Sequence, residues 1–175
     1  MRLEKDGILI RNAGAADAGQ LAAWWNDGKV MAHAGYPNGL GTTEETVKKQ
    51  LEAERDETTR RHIILYRDRP IGEMNYRNLG DKKCIMGIKI CETDMQNKGF
   101  GKKILSLFIQ GLFDVLGYEL VTLDTNLENR RAQHVYEQLG FRKVMVHMNE
   151  WKDQLGREQS SVDYELTRED FRSFI

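Results

Sequence analysis

The chain has 175 residues, of which 40% are hydrophobic and 30% are charged, and its formal net charge is −1 at pH 7. This length and composition are typical of a globular protein with one hydrophobic core, so we expect a single domain over residues 1–175. A net charge near zero gives no electrostatic reason to expect binding to nucleic acid or to a membrane surface.

The spacing of cysteines, histidines and apolar residues excludes further classes. Cys84 and Cys91 lie in one predicted strand at an odd separation, which puts their side chains on opposite faces and prevents pairing. A reducing compartment, the cytoplasm, is therefore expected. The histidines are scattered and no Cys-x-x-Cys occurs, so we expect no metal site. The amino terminus lacks an apolar signal region and no run of about 18 apolar residues occurs, so no membrane span is expected.

The first predicted elements are a strand and a helix. Residues 7–11 form the strand, and Asp17 then caps a helix that includes Trp24 and Trp25 and ends at Gly28. Large aromatic side chains usually serve packing, so the two tryptophans are expected mainly in the core or at its rim.

A long connector, residues 28–41, follows this helix. Long connectors inside compact domains are often functional, and this one contains Tyr36. Thr42 and Glu45 then resemble a capping box, which predicts a second helix with a charged and solvated outer face.

Three consecutive strands are predicted next, at residues 62–66, 70–76 and 84–90. Only short turns separate them, which indicates an antiparallel meander. Gly87 in the third strand indicates a bulge or a close approach of another backbone.

The segment after the third strand resembles a phosphate-binding loop that opens a helix. Its residues are Gln96, Asn97, Lys98, Gly99, Phe100, Gly101 and Lys102. The glycines let backbone N–H groups approach a ligand, and the first N–H groups of a helix are unpaired and carry partial positive charge. The expected ligand is a phosphate or pyrophosphate, although a glycine-rich turn that caps an ordinary helix is the alternative. The spacing fits neither an NTPase loop nor a dinucleotide fingerprint, whose third glycine is replaced by Ile104.

The remainder of the chain alternates helix and strand. A strand, a helix and a strand in sequence imply a right-handed crossover and a parallel pair. The final two strands are available to pair across a two-fold axis, so a homodimer is one alternative. The glycine loop opens a helix whose apolar stripe runs from Ile104 to Val115 and which ends at Gly117. The other predicted elements are a helix at about 128–139, strands at 118–125, 141–149 and 161–166, and a short terminal helix from Thr167.

A second motif lies in the later helix. Asn129, Ala132, Tyr136, Gly140 and Phe141 match the pattern Asn-x-x-Ala-x-x-x-Tyr-x-x-x-Gly-Phe. With the loop pattern Gln-x-x-Gly-x-Gly, the chain resembles the GCN5-related N-acetyltransferase (GNAT) superfamily, most strongly over residues 87–141. The resemblance implies an α/β fold with a mixed sheet of about six to seven strands. That sheet would be mostly antiparallel, with a central parallel pair splayed to hold coenzyme A and helices on both faces.

The resemblance also implies acetyl-CoA as the cofactor. The third strand of the meander would bind the pantetheine arm through its backbone, and the glycine loop would bind the pyrophosphate. Tyr136 would protonate the departing thiolate, the alternative being a tyrosine that only packs in the core. The implied cofactor-binding residues are Ile88, Lys89, Ile90, Gln96, Asn97, Lys98, Gly99, Phe100, Gly101, Lys102, Asn126, Asn129, Ala132 and Tyr136.

The chemistry expected for an amine acceptor needs a base and an oxyanion donor. Only a neutral amine attacks a thioester, so the site must remove a proton from the ammonium form of the acceptor. The carbonyl carbon then becomes tetrahedral, and a backbone N–H near Ile90 is the expected donor to its oxygen. Glu92 ranks first as the base because it follows the strand, and Asp124 and Glu73 come next. A water chain without a single base is the alternative.

The expected class of acceptor is inferred from the aromatic residues of the chain. Trp24, Trp25, Tyr36 and Trp151, with nearby acids, are predicted to form a groove for a cationic amine. The chain broadly resembles the aminoglycoside and ribosomal-protein N-terminus branches of the superfamily. A small aminoglycoside-like or polyamine-like amine is therefore expected, with a protein N-terminus or a non-catalytic acyl-CoA-binding module as the alternatives.

Overall fold

A computed structural model describes residues 1–175, which form eight β-strands and five α-helices. The strands are β1 (Arg2–Lys5), β2 (Ile8–Asn12), β3 (Thr59–Tyr66), β4 (Arg69–Gly80), β5 (Lys83–Ile90), β6 (Leu120–Asn126), β7 (Arg142–Lys152) and β8 (Glu158–Thr167). The helices are α1 (Ala18–Trp25), α2 (Gly28–Met31), α3 (Glu44–Ala53), α4 (Phe100–Asp114) and α5 (Arg130–Gln138).

All eight strands join one mixed sheet in the order β1-β2-β3-β4-β5-β6-β8-β7. Every neighbouring pair is antiparallel except β5 and β6, which are parallel and are connected through α4. The predicted fold class and the predicted meander are thus confirmed. The extra strand is β1, which pairs with β2 across a two-residue turn at Asp6 and Gly7. Both turn residues have positive φ, as an Asp-Gly hairpin turn requires.

Helices cover both faces of the sheet, because alternate residues of each strand point to opposite sides. Ile63 of β3 packs with Leu21 of α1 and Val47 of α3 in a core of 12 buried residues. Its neighbour Ile64 packs instead with Phe108 of α4 in a core of 25 buried residues. Cys84 and Cys91 are both free, and they are buried in different cores. We call the face beneath α1 and α3 the first face, and the face beneath α4 and α5 the second face.

Two predicted helix boundaries were wrong. Gly28 does not end the helix region but begins α2, because the Asp27 side chain accepts a hydrogen bond of 2.9 Å from Lys29 N. The connector at 28–41 therefore includes α2 and a 3₁₀ turn over Ala32–Ala34. The cap of α3 is Thr43 rather than Thr42, since Thr43 Oγ1 accepts a hydrogen bond of 3.2 Å from Thr46 N.

The predicted terminal helix after Thr167 is absent. Arg172 N donates to Leu139 O at 2.9 Å, and Phe174 N donates to Ser106 Oγ at 2.9 Å. These bonds hold the tail against α4 and the end of α5, so tertiary contacts take the backbone groups that a helix would have used. No α-helix has both the length and the apolar character needed to cross a bilayer.

Candidate active site

A cleft opens where the two parallel strands diverge. β5 and β6 pair only at Lys83 with Leu120, Cys84 with Val121 and Ile85 with Thr122. Both strands continue beyond this point, to Ile90 and Asn126, without pairing with each other. A cavity of about 510 Å³ lies at this divergence.

The cavity is lined from both faces of the sheet. Lys29 and Val30 of α2 line it from the first face, and Tyr136 of α5 and the α5 cap residue Asn129 line it from the second. The gap between the strands therefore connects the two faces, and two reactants can meet in it from opposite sides.

The backbone of β5 borders this cleft with hydrogen-bonding groups. Cys91 N, just after β5, donates to Ile71 O of β4 at 2.8 Å. Because backbone groups of alternate residues in a strand point to opposite sides, those of Ile88 and Ile90 point into the cleft and those of Lys89 toward β4. Ile90 O accepts a bond of 2.9 Å from Gln96 Nε2, which ties the glycine loop to the end of β5.

The glycine loop presents an open backbone surface ahead of α4. Asn97 and Gly99 have φ of 62° and 79°, a left-handed conformation that glycine adopts without strain. No atom lies within 4 Å of a Cβ built at Gly99 or Gly101, so a ligand can approach the loop amides. Phe100 packs its ring on Tyr66 with a centroid distance of 4.6 Å, which leaves its backbone as the available group.

The charged residues of this segment lie around the loop. Lys98 follows Asn97 directly, and Lys102 lies in the first turn of α4, where its Nζ is 5.0 Å from the centre of the Phe174 ring. These cations and the unpaired helix amides together favour a phosphate ligand.

Hydrogen bonds hold two asparagines of the cavity, Asn126 at the end of β6 and Asn129 at the cap of α5. Asn129 caps α5 by accepting a bond of 3.3 Å from Ala132 N, and it lines the cavity. Asn126 also lines the cavity, and its Nδ2 donates to Gln159 Oε1 at 2.8 Å. Ala132 instead packs on the large core and does not line the cavity.

Tyr136 is the core tyrosine that reaches the cavity. It is 7% exposed and lies among the lining residues. Burial, with a smaller contribution from the Asp124 carboxylate, raises the pKa of Tyr136 to about 12. Two other tyrosines of this core use their hydroxyls elsewhere: Tyr76 donates to Asp56 O and Tyr164 to Glu137.

Glu92, the first-ranked base, is directed away from the cavity. Its Oε1 accepts a bond of 3.2 Å from Trp24 Nε1, and its Oε2 is 3.7 Å from Arg69. It does not line the cavity, because the chain turns after β5 and places this side chain over α1.

Glu73 is buried and its carboxylate is fully engaged. It is 1% exposed and lies 2.6 Å from Arg61, 3.3 Å from Lys89 Nζ and 3.1 Å from Trp25 Nε1. Burial raises the pKa of Glu73, but Arg61 and Lys89 outweigh it and the net pKa is lowered. Such a carboxylate binds protons weakly and is a poor base.

Asp124 is the candidate carboxylate that lines the cavity. Burial first, and then the negative charge of Asp163, raise its pKa. A carboxylate with a raised pKa holds a proton more strongly near neutral pH, which suits a general base. Of the three carboxylates ranked from sequence, Asp124 thus lines the cavity, whereas Glu92 and Glu73 do not.

The aromatic residues expected at the acceptor groove also differ in whether they line the cavity. Trp151 lines the cavity, where a Cβ built at Gly35 would lie 2.4 Å from its ring. Trp24 and Trp25 are 5% and 7% exposed, in the core beneath α1, as was mainly expected for them, and they do not line the cavity. Tyr36 is 39% exposed and is not part of the lining.

Sequence reasoning missed several lining residues. The connector was identified as functional, but nothing in its sequence distinguished His33 or Ala34 as cavity residues. Ser161 of β8 also lines the cavity, and its place depends on strand order. No group of three or more His, Cys, Asp or Glu side chains is arranged to hold a metal ion.

Comparison with known proteins gives one family and many similar folds. A family model described as an acetyltransferase (GNAT) domain matches residues 8–142. No curated protein matches the chain.

Solved structures align over nearly the whole chain. A spermidine N-acetyltransferase from Vibrio cholerae, in complex with CoA and spermine, has 19% identity and a TM-score of 0.84, covering 95% of this chain and 98% of that one. A ribosomal-protein-S5-alanine acetyltransferase from Vibrio fischeri has 16% identity and a TM-score of 0.82, covering 98% and 99%. At these identities the likeness shows the fold.

Proposed function

The chain belongs to the GNAT acetyltransferase family, and from this premise we propose that it transfers the acetyl group of acetyl-CoA to a primary amine. The observation that carries the proposal is the cleft between β5 and β6, which has Tyr136 at one side and Asp124 at the other. A purely structural sheet would gain nothing from two neighbouring central strands that do not pair with each other over their last residues.

The chain has the groups that acetyl-CoA requires. The amides of Ile88 and Ile90 border the unpaired edge of β5 and would hold the pantetheine arm. The open amides at 96–102, with the neighbouring lysines, would hold the pyrophosphate. Asn129 would contact the arm from the start of α5. When bound, acetyl-CoA supplies an activated acetyl thioester.

Three groups of the chain would then act on the reacting atoms. Asp124 would accept a proton from the ammonium form of the acceptor, which frees the amine lone pair. The Ile90 N–H would donate a hydrogen bond to the carbonyl oxygen as negative charge grows on it. As the C–S bond breaks, the Tyr136 phenol, which stays protonated at neutral pH, would donate its proton to the leaving sulfur. The phenolate would then recover a proton from the nitrogen that has become bonded to the acetyl carbon, which leaves a neutral amide and a thiol.

We propose a small cationic amine, polyamine-like or aminoglycoside-like, as the acceptor. Asp124 supplies a carboxylate to the cavity, and Trp151 supplies an aromatic wall. Both attract an ammonium group. On the same side of the sheet, Asp163 and Glu150 add negative charge around Asp124.

A protein N-terminus is the second candidate. Lys29 lines the cavity and makes no salt bridge, so its ammonium is free to donate to a peptide carbonyl oxygen next to the reacting amine. A polyamine would be repelled by the same group. Lys29→Glu should therefore lower the kcat/KM for a peptide and raise it for a polyamine.

We also propose that the protein is cytoplasmic and that it forms a homodimer. Two free cysteines fit the reducing cytoplasm. The edge strand β7 exposes Met145 and Met148, at 56% and 65%, and is the surface available for a homodimer. Light scattering of the purified protein would measure its mass in solution.

The activity is tested by incubating the protein and acetyl-CoA with a panel of polyamines, aminoglycosides and peptides. Thiol release reports turnover, and mass spectrometry identifies the acetylated product. A thermal shift with coenzyme A measures binding separately. A stabilised protein that acetylates no amine in the panel would be a non-catalytic sensor, and a protein that shows neither effect would refute the proposed function.

A further inference from the structure

The sheet has a polar surface on its first face, next to the cavity. There β6, β8 and β7 lie side by side, and Asp124 and Asp163 are directly opposite each other in the antiparallel pair of β6 and β8. Side chains in such positions have Cβ atoms about 4.5–5.5 Å apart. Two carboxylates at this separation repel each other, and this arrangement stands beside the proposed reaction site.

We propose that Asp163 is a positioning residue that strengthens Asp124 as the proton acceptor, and that His147 controls how strongly Asp163 does so. This inference depends on the proposed acetyl transfer. It assigns a role to two residues that do not line the cavity and would not touch the acceptor.

The effect of Asp163 on Asp124 follows from charge. A neighbouring negative charge opposes ionisation of a carboxyl group and so raises its pKa. For Asp124 the raised pKa comes first from burial and next from Asp163. A base that binds protons more strongly removes a larger fraction of the ammonium proton at a given pH, so the opposing aspartate assists the reaction.

His147 is placed to adjust this effect. Its Nε2 lies 2.7 Å from Asp163 Oδ2, and its Nδ1 lies 3.7 Å from Glu150 Oε1. Glu150 is held in turn by Ser161 Oγ, which donates to it at 2.6 Å. The hydrogen bond to Asp163 raises the pKa of His147. Protonated His147 offsets the charge of Asp163, whereas neutral His147 leaves that charge to act on Asp124.

Other charged groups surround Asp124 but cannot replace this pair. Lys89 is held 3.3 Å from the buried Glu73, so its charge is already directed to that carboxylate. Glu150 adds to the repulsion, and Tyr136 is uncharged at neutral pH. The titratable groups that face Asp124 from neighbouring elements are Asp163, Glu150, His147, Tyr136, Lys29, His33 and Lys89.

The test is the pH profile of kcat/KM for the best acceptor found in the screen. The acidic limb of this profile reports the base of the free enzyme. We expect Asp163→Asn to move that limb to lower pH by at least about 0.5 unit. His147→Gln, which cannot become cationic, should move it to higher pH. Glu165→Gln is the control, since Glu165 lies two positions along β8, on the same face but opposite Thr122, and should leave the limb in place.

A second readout does not require turnover. The carboxyl pKa of Asp124, followed by NMR in the full-length protein, should fall in Asp163→Asn and rise in His147→Gln. An acidic limb or an Asp124 pKa that is unchanged in Asp163→Asn would overturn the inference, as would an equal shift in Glu165→Gln. A wild-type protein that acetylates no amine would refute the proposed function instead, while the Asp124 titration would still decide the electrostatic pairing.

Discussion

The two halves of the sheet treat the carboxylates Glu73 and Asp124 in opposite ways. In the half formed by β2, β3 and β4, helices cover both faces, and Glu73 is surrounded by Arg61, Lys89 and Trp25. In the half formed by β6, β8 and β7, Asp124 faces the cavity, and its charged neighbour across the strands is Asp163. The pKa of the first is lowered and that of the second is raised.

The physical reason for the opposite pKa shifts is the number of cationic side chains in contact with each carboxylate. A carboxylate between two cations is stabilised in its ionised form and serves the fold. A carboxylate opposite another acid, at the rim of a cavity, retains proton affinity and is available for chemistry. The comparison predicts that substitutions in the first half change stability and that substitutions in the second change turnover.

The largest effect is expected for Glu73→Gln. Removing this buried charge leaves Arg61 and Lys89, whose side chains are 25% and 33% exposed, without their partner. We therefore expect a loss of about 3 kcal/mol in the free energy of unfolding, the lower end for breaking a buried ion pair. Urea denaturation measures it. Glu92→Gln is the control, because Glu92 is partly exposed and should lose no more than about 1 kcal/mol. Equal losses in both variants would contradict the difference between buried and exposed carboxylates.

Asp124→Asn should lower kcat/KM about 100-fold, the scale expected for losing a general base. The amide is nearly the same size as the carboxylate, so the thermal shift with coenzyme A should remain. Steady-state kinetics at pH 7 measure the change. Unchanged turnover would assign proton removal to a water chain. It would contradict the proposal that Asp124 serves catalysis while Glu73 serves stability.

Tyr136→Phe should lower kcat at least about 10-fold while coenzyme A binding is retained, because only the proton donor is removed. Tyr164→Phe is a matched control, since that hydroxyl bonds to Glu137 and does not line the cavity. A similar fall in kcat for both variants would show that the loss comes from packing and not from proton transfer.

The smallest effect at neutral pH is expected for His62, in the covered half of the sheet. Neither ring nitrogen has a hydrogen-bond partner, and burial, then the charged amino terminus, lowers its pKa to about 3. Between pH 6.5 and 3 the unfolded chain therefore binds a proton that the folded chain does not, so stability falls as the pH falls. From pH 6.5 to pH 5 we expect a loss of about 2 kcal/mol from this group.

Denaturation at the two pH values tests this expectation with His62→Phe, which should lose less stability than the wild type on acidification. The Phe108 and Tyr76 rings that surround His62 favour an aromatic replacement. An unchanged pH dependence in the variant would mean that other groups account for acid sensitivity.

Local sequence patterns predicted much of the fold. The three strands of the meander, the helix after the glycine loop and the parallel crossover were all confirmed by the structure. These features depend on residues close together in the chain, such as the two glycines at 99 and 101 and the turn residues between strands. The terminal helix was wrong because Arg172 and Phe174 bond to distant residues, Leu139 and Ser106, which no local pattern records.

For the candidate site, sequence alone identified the loop at 96–102 and Tyr136 as a residue of interest, because both lie in motifs of fixed spacing. Tertiary structure decided which carboxylate and which tryptophan reach the cavity. Asp124 faces Asp163, 39 positions away in the chain, only because β8 inserts between β6 and β7. Side-chain direction at a strand end and register between distant strands arise from packing of the whole sheet, so neither could be obtained from neighbouring residues.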